Sequence, residues 1–412
     1  MVTVRDEAPF PGYGRGTNGY RRILAALACA GVATFAQLYS LQGLLPLISR
    51  DLGVSASQAS LTISVATLGL AAAVLPWSFV ADRWGRVRTM GLAVALATTF
   101  GLLVPAAPNF EILLLLRTLE GAALGGIPAL AMAYLNEEIN PFHAGAAAGA
   151  YVAGTSLGGL SGRLLAGPVA DLSDWRLATL TVSLTGAAAA AAFLWLAPPP
   201  QGFSPVSGGG FTDMLARLLP PLRSKPLLAL YAQAFLLMGS FVSVYNYLGF
   251  RLEAPPYLLP ATAVALIFLA YLAGTVSSRA VADLAARFGR RTVLLASITL
   301  MVSGLLVTMA AALPVILLGL VVFTAGFFGA HSIASGWTGS MTATGRAQAS
   351  SLYNLSYYAG SSVVGWSAGL IFQSLGWPAL VGALTVLAAI AAALAAAMLP
   401  SGRVQPPGSA FR

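Results

Sequence analysis

The sequence Asp82-Arg83-Trp84-Gly85-Arg86-Val87-Arg88 is a short basic turn that follows one long apolar segment and precedes another. A related turn, Arg287-Phe288-Gly289-Arg290-Arg291, follows a long apolar segment in the second half of the chain. Charged side chains are costly inside a bilayer, so both turns are expected at the ends of membrane-spanning segments. Their recurrence indicates a duplicated bundle in which each copy places a basic turn at the same face.

The composition excludes a water-soluble protein. The 412 residues are 58% hydrophobic and only 8% charged, whereas soluble domains carry about 25% charged residues. Long runs of Leu, Ala and Val favour helices, because outer-membrane barrels alternate polar and apolar residues instead. The net charge of +9 lies in loops between apolar segments. We therefore expect membrane lipid, and not nucleic acid, as a partner.

Apolar segments long enough to cross a bilayer, which takes roughly 20 residues, recur along the chain. We predict an all-α membrane protein with twelve transmembrane helices, called spans 1 to 12 below. The predicted spans are 23–48, 58–80, 89–107, 110–134, 144–167, 177–197, 227–249, 258–281, 292–311, 314–337, 348–373 and 378–399.

The spans divide into an N-terminal six-helix bundle (23–197) and a C-terminal one (227–399). The segment 198–226 between them is rich in Pro, Gly and Ser, which indicates a linker, with a short interfacial helix expected near 211–219. If the N-terminus is cytoplasmic, only Arg50, Arg176 and Arg251 of the 22 Lys and Arg lie on the outer side of the membrane. Arg117 and Arg163 lie within spans. By the positive-inside rule, the linker and the tails 1–22 and 400–412 are expected to be cytoplasmic.

The two bundles are predicted to be pseudo-symmetric copies. Aligning Ala153-Gly154-Thr155-Ser156 with Ala359-Gly360-Ser361-Ser362 places Gly85 on Gly289 at nearly the same offset. A repeat related by an axis along the membrane normal is typical of secondary transporters that move one half against the other.

Several motifs resemble those of the major facilitator superfamily. Asp82-Arg83-Trp84-Gly85-Arg86 resembles its loop signature between the second and third helices, with Ser78 where a Gly is usual. Arg117-Thr118-Leu119-Glu120-Gly121 resembles the fourth-helix signature of proton-coupled members, with Glu120 in place of Gln. The fifth helix, from Gly154 to Gly162, resembles the antiporter signature but lacks its Gly-Pro pair.

Other stretches resemble the YnfM-like (acriflavine-sensitivity) drug:proton antiporter subgroup. The resemblance implies export of small amphipathic compounds or drugs from the bacterial cell through the inner membrane, and hence a role in multidrug resistance. The stretches are Tyr134-Leu135-Asn136-Glu137-Glu138-Ile139, Gly158-Gly159-Leu160-Ser161-Gly162-Arg163, Leu237-Met238-Gly239-Ser240-Phe241, Ala330-His331-Ser332-Ile333-Ala334-Ser335 and Gln348-Ala349-Ser350-Ser351-Leu352-Tyr353.

Ionisable residues inside the spans are candidates for a proton pathway. Glu120 is the only carboxylate well inside a span, and Arg117 precedes it by three residues on the same helix face. The two form either a structural ion pair or a proton carrier. Arg163 is expected to reach Asp171 or Asp174, or else Glu120. His331 either carries protons or is a neutral imidazole bonded to a backbone carbonyl or to Ser332.

We predict that polar and aromatic residues on spans 1, 7 and 11 line the substrate cavity. We also predict a conformational gate, formed by residues of the basic turns and of the next inner loop. Arg86 is expected to pair with Glu137 or Glu138, and Asp82 to bind the start of span 11, only when the cytoplasmic side is closed. These contacts would favour the outward-facing state. The predicted cavity residues are Gln37, Gln42, Tyr245, Asn246, Asn354 and Tyr357, and the predicted gate residues are Asp82, Arg83, Gly85, Arg86, Arg88, Glu137, Glu138, Gly289, Arg290 and Arg291.

We therefore predict a secondary active transporter, monomeric, that exports a small amphipathic molecule by proton antiport. A sugar, nutrient or lipid carrier of the same fold is the alternative. The few charges in the spans suit a neutral or cationic substrate, although Arg117 and Arg163 could together hold an anionic one. The sequence contains no nucleotide-binding loop, metal-ligand cluster or nucleophile–base spacing. We expect no enzyme activity, no metal and no cofactor, with the proton gradient as driving force.

Overall fold

The computed structural model of the protein describes residues 10–203, 216, 218–342 and 345–401. Residues 1–9 and 402–412 of the tails, and most of the helix expected near 211–219, fall outside these residues. The chain folds into helices, with short 3-10 turns at Gln42–Leu44, Val104–Ala106 and Ile267–Ala270. The α-helices are Asn18–Leu38, Leu45–Leu52, Ala56–Trp84, Arg86–Leu103, Phe110–Leu124, Pro128–Glu138, Ala144–Leu172, Trp175–Leu196, Leu219–Leu222, Lys225–Glu253, Ala261–Leu266, Tyr271–Phe288, Arg290–Val307, Leu313–Ser340 and Arg346–Met398.

These helices supply the twelve predicted spans. Within the described residues, ten stretches are long and apolar enough to cross a membrane. One of them, Gln348–Met398, contains two spans, because the backbone leaves helical geometry at Gly376 and Pro378 follows. The glycine-rich helix Ala144–Leu172 is not among the ten and supplies span 5. The predicted all-α fold class is confirmed.

The two basic turns have the same backbone geometry. Gly85 has φ 92° and ψ 152°, and Gly289 has φ 87° and ψ 146°. Each glycine ends one helix and begins the next in a region of φ that side chains with a Cβ avoid. The alignment of these two residues in the sequence therefore reflects a repeated structural element.

Span 5 packs closely on span 1 through three glycines at four-residue spacing. A Cβ atom built on Gly158 would lie 2.6 Å from the Cα atom of Val32, and Gly154 and Gly162 meet the backbone of span 1 in the same way. Small residues at this spacing let two helix backbones approach in a membrane. The close contact fixes the position of the end of span 5 that carries Arg163.

The two halves touch at one end of the molecule and separate at the other. We call the end with Gly85 and Gly289 the basic end, and the other the opposite end. Spans 2 and 11 contact each other from the opposite end to about the middle of the bundle, through hydrogen bonds between small polar groups. The bonds join Ser57 Oγ to Trp366 O, Ser362 Oγ to Ser64 O and Thr67 Oγ1 to Ser362 Oγ, and Ser60 of span 2 also bonds to Tyr247 of span 7.

Candidate functional site

A cleft of about 420 Å³ lies between the two halves, on the basic-end side of the contact between spans 2 and 11. Its wall is mostly apolar, with a few polar groups such as Ser350, Ser351 and Asn354. Such a surface suits an amphipathic ligand, for which apolar contacts supply most of the binding and a few polar groups set the orientation. The lining residues come from spans 2, 4, 5 and 11, together with Leu218 before span 7.

The opposite end is closed by bonds between the halves. The carboxylate of Asp171 accepts hydrogen bonds from the backbone N–H groups of Ala261 and Thr262, both at 2.8 Å, and from the Thr262 hydroxyl. Asp171 thus caps the first helix of span 8 from the other half of the molecule. Arg50 and Glu253 form a second link at 2.8 Å.

Arg117 and Glu120 form a fully buried ion pair in the first half. Arg117 Nη1 lies 2.5 Å from Glu120 Oε2, and both side chains are at most 2% exposed. The guanidinium also donates to the carbonyl oxygens of Gln37, Leu38 and Thr62. The helix of span 1 ends at Leu38, which frees carbonyl groups that need donors. Arg117 satisfies them and is thereby held in place.

Gln37 brings an additional acceptor to this pair. Its Nε2 donates to Ala33 O at 2.8 Å, which leaves its buried Oε1 without a hydrogen-bond partner. A Cβ atom on Gly101 would lie 2.5 Å from Gln37 Oε1 and 3.0 Å from Glu120 Oε1, so the two oxygens face the same small space. A proton on Glu120 would therefore have an acceptor close by.

Arg163 has no carboxylate partner among the described residues, so the predicted contacts with Asp171, Asp174 or Glu120 are wrong. Its Nε and Nη2 donate to Gln42 Oε1 at 3.0 and 2.7 Å, and its Nη1 donates to Gly159 O at 2.5 Å. The reason is geometric: span 1 breaks at residues 42–44, which carries Gln42 to the guanidinium.

The acids expected to bind Arg163 have other tasks. Asp171 caps span 8, and Asp174 caps the helix of span 6 by accepting from Leu177 N at 2.8 Å. Gln42 in turn donates to Asn246 Oδ1 at 2.8 Å, so a polar chain runs from span 5 through span 1 to span 7.

His331 lies in an aromatic cluster of the second half. Its Nδ1 is 3.0 Å from the hydroxyl of Tyr353, instead of bonding to Ser332 or a backbone carbonyl as one reading of the sequence expected. Its ring lies 5.0 Å from that of Tyr357, which contacts Tyr358 at the wall of the cleft. His331 thus connects to the cleft through aromatic rings.

The other predicted cavity residues are divided between the wall and the interior. Asn354 lines the cleft. Tyr245 is buried and bonds to Thr324, while Gln37, Gln42 and Asn246 are buried and do not line the cleft. The sequence did not single out Phe268 and Tyr271 of span 8, whose rings cover Arg163 at 4.7 and 5.1 Å from the guanidinium carbon.

The predicted gate binds within each half and not between the halves. Arg86 pairs with Asp82 at 2.6 Å and with Glu137 at 2.9 Å while the cleft separates the halves at this end. The expectation that the pair of Arg86 and Glu137 forms only in the closed state is therefore wrong. Within the described part of the chain, Asp82 bonds to Arg86 and not to the start of span 11.

The remaining gate residues show the same pattern. Glu138 accepts from the backbone N–H groups of Gln201 and Gly202 in the linker, and not from Arg86 as one alternative predicted. Arg290 bonds to Ser340 and Arg291 to Leu399 O, both in the second half. Arg83 lies over the Phe79 ring, and Arg88 is exposed.

This arrangement defines a class of protein: a multi-pass membrane transporter with a binding cleft between two helical halves, and not an enzyme. A family model described as Major Facilitator Superfamily matches residues 27–283. The chain belongs to the major facilitator superfamily.

Relatives and solved structures agree with this membership. The chain is 38% identical over 380 residues to "Inner membrane transport protein YnfM" of Escherichia coli (strain K12), covering 92% of this chain and 91% of that protein. It is 37% identical over 377 residues to "Uncharacterized MFS-type transporter YybF" of Bacillus subtilis (strain 168), covering 92% and 93%. The fold matches that of a mutant of the nucleoside transporter NupG with a TM-score of 0.75 at 14% identity, over 92% of this chain and 100% of that one.

A bacterial homologue of the human lysosomal transporter Spinster has a TM-score of 0.74 at 16% identity, over 93% of this chain and 97% of the other. At these identities the two structures support the fold alone.

Proposed function

We propose that the protein exports small amphipathic compounds across the cytoplasmic membrane in exchange for protons. The observation that carries the proposal is the mostly apolar cleft between the halves, with Asn354, Ser350 and Ser351 as polar contacts. A cleft that is open at one end and closed at the other by bonds between the halves is what alternating access requires.

The charges support the orientation of the proposed exporter in the membrane. Basic residues are concentrated at the basic end, and the positive-inside rule places that end, together with both termini, in the cytoplasm. The cleft then takes up substrate from the cytoplasm or the inner leaflet. Rupture of the bonds at Asp171 and Arg50 opens the other side.

Glu120 is the proposed proton site. It is the buried carboxylate of the bundle interior, and Gln37 Oε1 offers an acceptor for its proton in the same small space. Protonation neutralises Glu120 and weakens its pair with Arg117. His331 is a second candidate, because its ring connects through Tyr357 to Tyr358 at the cleft.

The test uses inverted membrane vesicles that contain the protein and a panel of fluorescent amphipathic compounds. We expect uptake into the vesicles when a proton gradient is imposed, and loss of uptake when the gradient is collapsed. The Glu120→Gln variant is expected to bind the same compounds but to lose gradient-driven accumulation. Uptake that continues unchanged after the gradient is collapsed contradicts proton antiport, and equal accumulation by the variant makes Glu120 structural.

A further inference from the structure

Arg163 is a buried cation held only by neutral groups. Arg163 is 3% exposed, and its guanidinium forms no ion pair among the described residues. Three of its five N–H groups donate to Gln42 Oε1 and Gly159 O, and the other two have no hydrogen-bond acceptor in the described part of the chain. Buried charges in proteins are normally paired, because desolvation is expensive.

Aromatic ring faces surround the guanidinium. Its carbon lies 4.5 Å from the ring centre of Tyr39, 4.7 Å from that of Phe268 and 5.1 Å from that of Tyr271. Ring faces stabilise a cation, but they supply no hydrogen-bond acceptor. We call Arg163 and these three residues the arginine cage. The cage takes residues from both halves of the molecule.

The arginine cage and the wall of the cleft pack with the same two hydrophobic cores. Tyr358 lines the cleft and packs against the core of the first half, to which Tyr39 belongs. Tyr357, whose ring lies 5.2 Å from that of Tyr358, packs against the core of the second half, as does Tyr271. The path from the cleft to Arg163 that we infer therefore passes these tyrosine side chains.

We propose that the arginine cage binds a carboxylate group of the transported compound, which is thus an amphipathic carboxylate with a flat apolar body. The inference rests on the proposed transport function and names the substrate class for it. Arginine binds a carboxylate through two parallel N–H groups, and Nε and Nη2 already donate as such a pair to the single oxygen of Gln42. The carboxylate takes the place of that oxygen, and the flat body lies against the ring faces.

Displacement of Gln42 connects binding to movement of the halves. Gln42 Nε2 donates to Asn246 Oδ1 across the junction between spans 1 and 7, and the buried Nδ2 of Asn246 has no partner among the described residues. A substrate that releases Gln42 from Arg163 frees this bond to rearrange. The same carboxylate therefore both binds and loosens a contact at the closed part of the interface.

The test measures binding to the purified full-length protein in lipid nanodiscs by titration calorimetry. The probes are benzoate with benzamide, and 2-naphthoate with 2-naphthamide, which match in shape and differ in charge. We expect the carboxylate of at least one pair to bind at least tenfold more tightly than its amide. Arg163→Gln is expected to abolish this preference and Arg163→Lys to keep part of it. Arg176→Gln, which removes an arginine at the opposite end, is expected to leave it unchanged.

Three results would overturn the inference: equal affinity for carboxylate and amide, no binding of either carboxylate, or a preference that persists in Arg163→Gln. Arg163→Lys keeps the charge and decides the question if the glutamine variant does not fold. The titration needs no proton gradient, so it is independent of proton coupling. If uncharged amphipaths are exported with the gradient while the carboxylates do not bind, this inference fails and the proposed function stands.

Discussion

The link between Asp171 and span 8 should control how often the opposite end opens. The Asp171 carboxylate accepts two backbone hydrogen bonds at 2.8 Å and one from the Thr262 hydroxyl, and it joins the halves only while this end is closed. Asp171→Ala removes a helix cap, which typically costs about 1 kcal/mol. Because the side chain of Asp171 is exposed, we expect this cost and not the larger cost that buried helix caps can reach. It corresponds to an approximately fivefold larger population of the state that is open at the opposite end.

Cysteine labelling measures this population. Cys29 is the single cysteine, so a Cys29→Ser background leaves one reporter at a time. Ser57→Cys places a reporter in the closed contact with Trp366, and Ser351→Cys places one in the cleft. With Asp171→Ala we expect about fivefold faster labelling of the first reporter and little change at the second, because the state that is open at the basic end remains the major one. Asp171→Asn, which keeps a capping oxygen but no charge, should give a smaller change.

Asp174→Ala is the matched control, because Asp174 caps a helix within one half at the same end of the molecule. It should lower stability without changing either labelling rate. Unchanged labelling of the Ser57→Cys reporter in Asp171→Ala would refute the reasoning. So would an equal increase in Asp174→Ala, because the effect would then come from general loosening and not from the bond between the halves.

Two further predictions concern stability, each measured by unfolding of the purified protein in mixed micelles. Glu120→Gln leaves the buried Arg117 without a counter-charge and should lower the free energy of unfolding by about 3 kcal/mol. Glu111 is exposed on the same helix, so Glu111→Gln should lower it by less than about 1 kcal/mol. Equal losses would contradict the buried pair. Gly158→Ala places a Cβ atom 2.6 Å from the Val32 backbone and should cost about 1–3 kcal/mol. At Gly149 an added Cβ atom meets nothing within 4 Å, so Gly149→Ala should be neutral or stabilising. A similar loss of stability at both positions would contradict close packing of spans 1 and 5.

Much of the architecture was predictable from local sequence. A span is recognised by its length and apolarity, which do not depend on its neighbours, so the all-α bundle and its number of helices followed directly. The basic turns were equally readable. Gly85 and Gly289 adopt a positive φ that favours glycine, and this local requirement repeats with the duplication. Arg117 and Glu120 were also recognisable as a pair, because their spacing on one helix brings them together.

Partners in other spans were not predictable. A helix that is apolar on all sides does not reveal which face points to the bundle interior, so its rotation is set only by packing against its neighbours. Arg163 was expected to reach an acid, yet the break in span 1 brings Gln42 to it and span 8 adds Phe268 and Tyr271. For Arg86 the sequence indicated the partner Glu137 within the first half, but not that the two pair while the cleft is open.

The sequence alone therefore determined the class of protein, the duplicated bundle and the short list of ionisable groups inside the membrane. Their chemical roles depend on contacts between residues far apart in the chain. Only the tertiary structure decided that Asp171 caps span 8 and that Arg163 lies in an aromatic cage built from both halves. The physical reason is that apolarity and turn geometry are local properties, whereas charge pairing across a bilayer depends on the rotation, breaks and depth of several helices at once.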